Sequence, residues 1–288
     1  MKHVLLIDGM ALLFRSFFAT AVSNQFMYNQ EGTPTNGIQG FIKHTVTAAE
    51  IIQPTHVAIC WDMGKETFRN EEFSLYKANR NAPPEELIPQ FDLVKEIAEE
   101  LHFHNVGVKG YEADDCIGTI ARNEADSKVS IVSGDKDLLQ LLRPNVDVWL
   151  VKKGFGSYDT YNLERFHKEY EITPRQFIDV KGLMGDTSDG YPGVKGIGEK
   201  TAFKLIKEFG SIEGILENIE RLTPGQRNKI IQDQDMLHLS RKLAEIYCEV
   251  PIEAPSAKDW NGLPGHAFEV AEKYGLRSVK KFMEQGIK

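Results

Sequence analysis

Short apolar runs alternate with longer amphipathic stretches over the first half of this chain of 288 residues. The runs are rich in β-branched residues and are bounded by turn residues, which favours strands. Five runs are predicted to be strands: 3–7, 56–61, 103–108, 128–134 and 146–151. The stretches 85–101 and 112–125 have helical spacing. Strands that alternate with helices predict an α/β fold, with a mostly parallel central sheet and helices on both faces.

After about residue 160 the apolar pattern becomes helical, and proline and glycine stand where helices start and stop. Predicted helices cover 162–170, 174–185, 199–210, 211–219 and 224–247. The tail, 251–288, carries one more amphipathic helix at 266–285. We therefore predict an α/β domain at 1–172 and a helical region at 173–288.

Composition excludes several classes of protein. No stretch approaches 18 uninterrupted apolar residues, so no membrane partner is expected. The first apolar run ends at Asp8 without a cleavage site, which indicates a strand and not a signal peptide. Cys60, Cys116 and Cys248 are far apart, so neither a disulfide framework nor a zinc site is expected, and a cytoplasmic location fits.

Acidic side chains follow the predicted strands at the point where each strand ends. Asp8 comes directly after the first run, and Asp62 comes directly after the second. The third and fourth runs are followed by Glu112, Asp114, Asp115, Asp135 and Asp137. Ligands of open parallel sheets bind beyond the carboxyl ends of the strands, so these seven acids are predicted to share one edge. Asp186 and Asp189 lie at the entry to the helical region.

A single aspartate after a strand is often no more than a helix N-cap. Seven acids at one sheet edge would repel one another strongly unless cations neutralised them. Carboxylate oxygens without histidine or cysteine favour Mg²⁺ or Mn²⁺ over Zn²⁺. Two such ions bridged by carboxylates are a common device for hydrolysing phosphodiesters. The pattern therefore predicts a two-metal hydrolase.

The net charge of −8 at first disfavours a nucleic-acid partner. Nine of the 42 acidic residues, however, belong to the predicted metal site. Without them, 33 acidic residues remain against 34 lysine and arginine residues. The acidity of the whole chain therefore does not count against DNA.

The segment PGVKGIGEKTAFKLI, 192–206, has glycines just before a helix start. Its spacing is close to that of a nucleotide-binding phosphate loop, but Glu199 interrupts the motif and no strand precedes it. A helix–hairpin–helix that binds duplex phosphates fits better, and an ordinary glycine-turned helix pair is the alternative. The predicted DNA-binding residues here are Gly193, Lys195, Gly196, Gly198, Lys200 and Lys204.

A long polar segment separates Asp62 from the helix predicted at 85–101. Basic and aromatic residues alternate in it: Lys65, Phe68, Arg69, Phe73, Tyr76, Lys77 and Arg80. This combination suits single-stranded nucleic acid, through phosphate pairing and base stacking. The alternative is a mobile surface segment, which the interspersed Glu66, Glu71 and Glu72 would support.

Six motifs together resemble the flap endonuclease or 5′ nuclease family, and most of all the 5′–3′ exonuclease domain of bacterial DNA polymerase I and its stand-alone relatives. They are LIDG at 6–9, WDMGKETFR at 61–69, YKANR at 76–80, YEADD at 111–115, SGDKDLLQL at 133–141 and GDTSDGYPGVKGIGEKTA at 185–202. They occur in the family's order and cover roughly residues 1–250, and their combination is highly specific. The chain resembles a stand-alone enzyme.

The resemblance implies roles for individual residues. It assigns one metal ion to Asp8, Asp62, Glu112, Asp114 and Asp115, directly or through water. It assigns the other to Asp135, Asp137, Asp186 and Asp189. Residues 65–90 look like the helical arch or clamp that a 5′ single strand enters, with Lys77 and Arg80 as the catalytic basic pair that engages the scissile phosphate. The helix–hairpin–helix, about 185–207, looks like the duplex-binding element, which in this family often holds K⁺.

The function expected from residues and resemblance is that of a Mg²⁺-dependent 5′–3′ exonuclease and 5′-flap endonuclease. It would cut DNA by a two-metal mechanism to leave a 3′-OH and a 5′-phosphate, as a monomer, in primer removal and DNA repair. One rival is a PIN-like ribonuclease, against which the hairpin argues. The other is a non-catalytic DNA-binding module, against which the complete acid set argues.

Overall fold

The computed structural model describes residues 2–286 and contains one seven-stranded sheet. Its strands are β1 (His3–Asp8), β2 (His56–Cys60), β3 (Asn105–Val106), β4 (Lys128–Ser133), β5 (Val146–Val151), β6 (Tyr158–Tyr161) and β7 (Lys258–Asp259). The order is β3-β2-β1-β4-β5-β6, and β7 pairs with β2. Strands β1 to β5 are parallel, whereas β6 and β7 are antiparallel to their neighbours. The predicted mostly parallel sheet is confirmed.

Helices cover both faces of the sheet. Alternate residues of a strand point to opposite faces, so each strand contributes to two cores. Leu5 and Ile7 of β1 pack in one core, while Val4 and Leu6 pack in the other. The Leu5 side is covered by α1 (Gly9–Ala21), α2 (Asn36–Ile52) and α4 (Gln90–Glu100), joined by the tail helices α12 (Ala267–Lys273) and α13 (Arg277–Gln285). The Val4 side is covered by α5 (Ala113–Asn123).

The helical region follows the sheet without a break in the core. It consists of α6 (Leu163–Tyr170), α7 (Pro174–Met184), α8 (Glu199–Phe209), α9 (Ile212–Glu217), α10 (Pro224–Gln232) and α11 (Gln234–Ala244). Two 3₁₀ helices, Lys136–Leu141 and Ile219–Arg221, complete the fold. Ile206 and Leu237 pack in the same core as Val4, so the helices lie directly against the α/β layer. The boundary at 172 and 173 stays a prediction.

Two helices predicted as continuous are each divided in two. The first is divided at Asp233, whose carboxylate accepts the backbone N–H of Lys195 and so binds the break to the glycine-rich segment. The second is divided before Gly275, which has φ +65 and packs against Asn29. A left-handed glycine ends a helix at low steric cost. Strands β6 and β7 were also not predicted.

The segment 65–90 differs from the helical arch that the resemblance implied. Among the residues that the structure describes, this segment contains one helix before the start of α4, namely α3 (Phe68–Glu72). The chain then runs through turns over the loop at 186–189: Lys77 N–H donates to the carbonyl of Asp189, and Asn79 donates to that of Thr187. None of the described helices is both long and apolar enough to cross a membrane.

Candidate metal centre and DNA-facing residues

The ends of β1 and β4 are joined through Asp8. Its Oδ1 accepts the Ala11 N–H at 2.9 Å, which caps α1, and its Oδ2 accepts the Ser133 hydroxyl at 2.6 Å. Ser133 also accepts the backbone N–H of Asp135 at 2.9 Å. Asp8 is therefore held in one orientation at the sheet edge, as the strand-end pattern predicted. Ser133 could not be identified from the sequence, because its partner Asp8 lies 125 residues away.

The ends of β2 and β3 meet in the same way. Asp62 follows β2, and its Oδ1 accepts the N–H of Ala113, the first residue of α5, at 2.7 Å. Glu112 is the N-cap of α5, and Asp114 lies in its first turn. A helix N-terminus favours carboxylates through its unpaired N–H groups and its dipole. Sheet and helix together bring these acids to one place.

The pKa values show how strongly these acids interact. Burial raises the pKa of Asp8 to about 6, and the charges of Asp62 and Asp135 add to this. Burial also raises the pKa of Asp114, helped by Asp8, Asp135 and Glu112. The pKa of Asp62 is raised by burial too, against the hydrogen bond from Ala113. Such shifts mark a site where negative charge lacks compensation.

Two of the remaining acids, Asp137 and Asp186, flank a buried lysine. Lys181 of α7 is 5% exposed, and its Nζ lies 2.8 Å from Asp137 Oδ1 and 2.5 Å from Asp186 Oδ2. Burial raises the pKa of Asp137 to about 6, with Asp135 adding to the rise and Lys181 opposing it. For Asp186 burial alone would raise the pKa, but Lys181 and two backbone N–H groups lower it. Sequence reasoning missed Lys181, whose one signal is a charged residue inside the apolar run of α7.

The predicted catalytic pair, Lys77 and Arg80, is hydrogen-bonded to two of the predicted metal-binding acids. Lys77 Nζ donates to Glu112 Oε1 at 2.7 Å, and Arg80 donates to Asp189 Oδ1 at 2.6 Å. Lys77 has a left-handed backbone with φ +55, which few residues other than glycine adopt without a reason. Burial alone would lower the pKa of Lys77, but Glu112 and Asp189 raise it, so the side chain keeps its charge.

Asp115 differs from the metal ligand that the resemblance implied, and Arg69 differs from the predicted DNA contact. The two form a bidentate ion pair at 2.7 and 2.8 Å, with Asp115 0% and Arg69 2% exposed. Asp115 also accepts the backbone N–H groups of Glu112 and Tyr247. The carboxylate has no accessible oxygen for an ion, and the guanidinium has no surface for a phosphate.

Tyr76 also lies elsewhere than predicted. The ring is 3% exposed, so it cannot stack on a base, and its hydroxyl lies 3.2 Å from Glu112 Oε2 and 3.3 Å from Asp189 Oδ2. Burial and both carboxylates raise its pKa, so the phenol keeps its proton for donation. We call the eight acids without Asp115 the acid cluster: Asp8, Asp62, Glu112, Asp114, Asp135, Asp137, Asp186 and Asp189.

The glycine hairpin, residues 193–200, precedes and opens α8. Gly193 is buried, its N–H donates to Ser240 Oγ, and a Cβ on it would lie 2.3 Å from the backbone N of Gly185. Gly193 therefore serves packing, contrary to its predicted phosphate contact. The backbone N–H of Lys195 is likewise bonded, to Asp233, although Lys195 itself is exposed.

Several other hairpin positions face solvent, whereas Val194 and Ile197 are buried in the core. Gly196 and Gly198 are exposed, and Gly198 is the N-cap of α8. Lys200 and Lys204 of α8 are exposed, as is Lys65 ahead of α3. The Gly196 carbonyl accepts Lys229 Nζ of α10 at 3.1 Å, a contact that the sequence did not predict. These lysines thus remain available to phosphates.

Two family models match consecutive parts of the chain. Residues 3–171 match the 5′-3′ exonuclease N-terminal resolvase-like domain, and residues 172–262 match the 5′-3′ exonuclease C-terminal SAM fold. A 5′-3′ exonuclease of Bacillus subtilis (strain 168) is 54% identical over 99% of this chain and 97% of its own length. The chain belongs to the 5′–3′ exonuclease family. The resemblance stated from the motifs is confirmed.

Polymerases contain a related domain. DNA polymerase I of Lactococcus lactis subsp. cremoris (strain MG1363) is 41% identical over 88% of this 5′–3′ exonuclease, which matches 29% of that polymerase. Among solved structures, T5 D15 protein co-crystallised with metal ions has a TM-score of 0.69 at 22% identity, covering 99% of this chain and 98% of that one. The catalytic core of Rad2 in complex with DNA substrate has a TM-score of 0.61 at 15% identity, covering 97% and 90%. These structures support the same fold.

The acid cluster suits hard divalent cations. Each of its side chains offers only carboxylate oxygens, the donors that Mg²⁺ and Mn²⁺ prefer. Within 2–286, no three acidic, histidine or cysteine side chains form a closed ligand set. Lys77, Arg80 and Lys181 are paired with members of the acid cluster instead. These cations of the 5′–3′ exonuclease compensate part of the negative charge, and the raised pKa values of Asp8 and Asp114 indicate that more positive charge would be favourable.

Proposed function

We propose that this 5′–3′ exonuclease is a structure-specific nuclease that cuts DNA at 5′ flaps and at free or nicked 5′ ends. It hydrolyses the phosphodiester bond with two Mg²⁺ ions, which Mn²⁺ can replace, and leaves a 3′-OH and a 5′-phosphate. The observation that carries the proposal is the pairing of Lys77 and Arg80 with two different parts of the acid cluster. Cationic side chains that can engage a phosphate are thereby held where the divalent ions would bind.

The cluster divides between the two ions. Asp8, Asp62, Glu112 and Asp114 would hold the first ion, and Asp135, Asp137, Asp186 and Asp189 would hold the second. Divalent ions in such sites activate a water molecule and neutralise charge on the phosphate. Asp8 is oriented for this task by Ser133 and Ala11, so little reorganisation is needed.

Lys77 and Arg80 hold the scissile phosphate. In the structure each ammonium or guanidinium group is hydrogen-bonded to a carboxylate, Lys77 to Glu112 and Arg80 to Asp189. On this proposal the phosphate oxygens replace the carboxylates as their partners, which frees Glu112 and Asp189 for the ions. The Tyr76 hydroxyl lies within hydrogen-bond distance of the same two carboxylates, and its single O–H can be donated to either of them during the exchange.

DNA docking is assigned to exposed groups. Lys195, Lys200 and Lys204 bind duplex phosphates, with the open backbone of Gly196 and Gly198 beside them, and Lys65 binds the single strand. We assign a K⁺ ion to the hairpin carbonyls. The relatives with a solved DNA complex, such as the Rad2 catalytic core, support a DNA substrate. We assign the protein a role in primer removal and DNA repair, as a monomer. All three cysteines are free thiols, which fits the reducing cytoplasm.

A labelled 5′-flap duplex tests the proposal. Wild-type protein is expected to cleave it in Mg²⁺ or Mn²⁺, near the junction, and to leave a ligatable 5′-phosphate on the downstream strand. Blunt duplex without a free 5′ single strand serves as the matched substrate and should be cut more slowly. Absence of cleavage in both metals would overturn the enzyme assignment. An increase in duplex affinity on replacing Na⁺ by K⁺ would support the hairpin ion.

A further inference from the structure

The guanidinium of Arg69 joins three separate elements. It belongs to α3 and binds Asp115 of α5 through both terminal nitrogens. Its Nε donates to the Leu243 carbonyl at 3.1 Å, and Nη2 also donates to the Glu245 carbonyl at 2.9 Å. Leu243 lies in the last turn of α11, and Glu245 follows that helix. The base of the 65–90 segment is thus fixed to the helix that carries Glu112 and to the helical region.

The carboxylate of Asp115 is fully used. Oδ1 accepts from Arg69 and from the Tyr247 N–H at 2.9 Å, and Oδ2 accepts from Arg69 and from the Glu112 N–H at 3.0 Å. Four hydrogen bonds satisfy the acceptor capacity of a buried carboxylate.

A second carboxylate stands close to the same guanidinium. Nη1 of Arg69 lies 3.7 Å from Oε2 of Glu112, beyond hydrogen-bond distance. Glu112 is bonded on its other oxygen to Lys77 and is a member of the acid cluster. A buried guanidinium always keeps its charge and must have a partner. If Asp115 did not hold Arg69, Glu112 is the acid at hand to replace it.

We propose that Asp115 is a positioning residue that occupies the guanidinium of Arg69 and thereby keeps Glu112 available to the metal ion. This inference rests on the proposed function, since it assigns Glu112 to a metal. The pair also fixes α3 to α5, the helix whose N-cap is Glu112. Asp115 acts through Arg69 and touches neither ion nor phosphate.

A purely structural role predicts something different. A buried ion pair is commonly no better for stability than a well-packed neutral pair, whereas removal of one partner leaves an uncompensated charge. On a structural role alone, metal affinity would fall together with stability in every variant. On the positioning role, metal affinity falls only when Arg69 is present without Asp115.

Mn²⁺ binding measured by electron paramagnetic resonance distinguishes the positioning role of Asp115 from a purely structural role. Asp115→Asn is expected to weaken Mn²⁺ binding by about tenfold or more, as loss of groups around a metal ligand does. The double variant Arg69→Met with Asp115→Asn removes the competing cation and is expected to recover most of the affinity, even though urea unfolding should show it to be less stable than wild type, because the hydrogen bonds to Asp115 are lost. Glu220→Gln, which breaks the exposed Glu220–Arg227 pair, is the control and should bind like wild type.

Each outcome decides the inference. Unchanged Mn²⁺ affinity in Asp115→Asn overturns it, and so does a double variant as weak as the single one. If Asp115→Asn does not fold, the double variant alone is compared with wild type, and near-normal Mn²⁺ affinity supports the inference while a tenfold or greater loss overturns it. Wild type that neither binds Mn²⁺ nor cuts a flap contradicts the proposed function itself. Wild type that does both, beside an unaffected Asp115→Asn, contradicts only the positioning role.

Discussion

The acid cluster and the glycine hairpin hold their charges in opposite ways. In the cluster, Asp8 is 5% and Glu112 9% exposed, and side chains from distant segments fix the carboxylates. In the hairpin and the α8 helix that it opens, Lys200 and Lys204 are exposed, while the backbone N–H groups of Gly193 and Lys195 are bonded to Ser240 and Asp233. One region is an oriented interior and the other a rigid surface with free side chains.

This difference indicates which property of the protein a substitution in each region should change. Low exposure strengthens electrostatic effects, so small changes in the cluster should alter the chemical step. Exposed lysines contribute through phosphates and counterions, so changes in the hairpin should alter affinity and its salt dependence. Substitutions can therefore test whether chemistry and docking are separate in this protein.

Asp135→Ala should have the largest effect. Asp135 caps the 3₁₀ helix by accepting the Asp137 N–H at 2.8 Å. Burial is the main cause that raises the pKa of Asp8 and of Asp137, and the charge of Asp135 raises both further. We expect flap cleavage to fall by roughly 10²- to 10³-fold, the scale of losing one oriented electrostatic group. Flap binding, measured by fluorescence anisotropy in EDTA, should be unchanged or tighter, because a negative charge is lost.

The control for this variant is Asp126→Ala, an exposed acid away from the cluster. It should cleave and bind like wild type. Normal cleavage by Asp135→Ala would remove it from the proposed ligands. A loss of binding equal to the loss of cleavage would end the separation of chemistry from docking.

Lys77→Ala should have the next largest effect. The ammonium bonded to Glu112 would be gone, and with it the proposed phosphate contact, so single-turnover cleavage should fall by roughly 10²-fold. Lys77 has φ +55, and alanine there could add backbone strain. Lys77→Asn is the matched variant, because asparagine tolerates this conformation. Equal losses in the two variants identify the charge as the cause, whereas activity retained only in Lys77→Asn would identify the backbone.

Lys195→Ala with Lys200→Ala should act on docking alone. If each lysine neutralises one phosphate, the slope of log affinity against log salt should become shallower by about 1.8, at about 0.9 per contact on duplex DNA. Cleavage at saturating DNA should stay near the wild-type rate. Lys273→Ala with Lys281→Ala, two exposed lysines of the tail, is the control. The same slope in the hairpin variant and wild type would argue against a phosphate site there.

The sequence allowed the sheet, the helical region and the acid cluster to be predicted because these depend on order along the chain. Strand-end positions place acids at one edge whatever the details of packing. What it did not reveal are contacts between distant segments. Arg69 and Asp115 are 46 residues apart, and Arg69 and Leu243 are 174 apart. A basic residue among aromatics reads as a surface contact until its burial is known.

The same limit explains Lys181 and Gly193. Lys181 stands in a run of apolar residues, and only the fold shows that two carboxylates meet its ammonium there. Gly193 belongs to a motif typical of phosphate binding, yet the close approach of the Gly185 backbone is what requires it. Motifs identify which residues matter, whereas tertiary contacts decide what each one does.

His44 supplies the smallest expected effect on catalysis and a control for pH. It lies 7% exposed in α2, its Nδ1 has no hydrogen-bond partner among residues 2–286, and its ring is 4.4 Å from that of Phe155. Burial, then Arg15 and Lys43, lower its pKa to about 4 from 6.5. The unfolded chain therefore binds a proton between pH 6.5 and 4 that the folded protein does not, so stability conferred by neutral His44 is complete above 6.5 and is lost as pH falls.

His44→Gln should remove this dependence. The wild-type unfolding free energy, from urea titrations at pH 7.5, 6 and 5, should lose up to about 2 kcal/mol more on acidification to pH 5 than that of the variant, from the shift in pKa. Cleavage at pH 7.5 should be unaffected. Parallel pH curves for the two proteins would show that His44 is solvated or partnered in solution. Burial raises the pKa of Asp8 and of Asp137 to about 6. In His44→Gln, a fall in activity at low pH can therefore be attributed to the acid cluster and not to unfolding caused by His44.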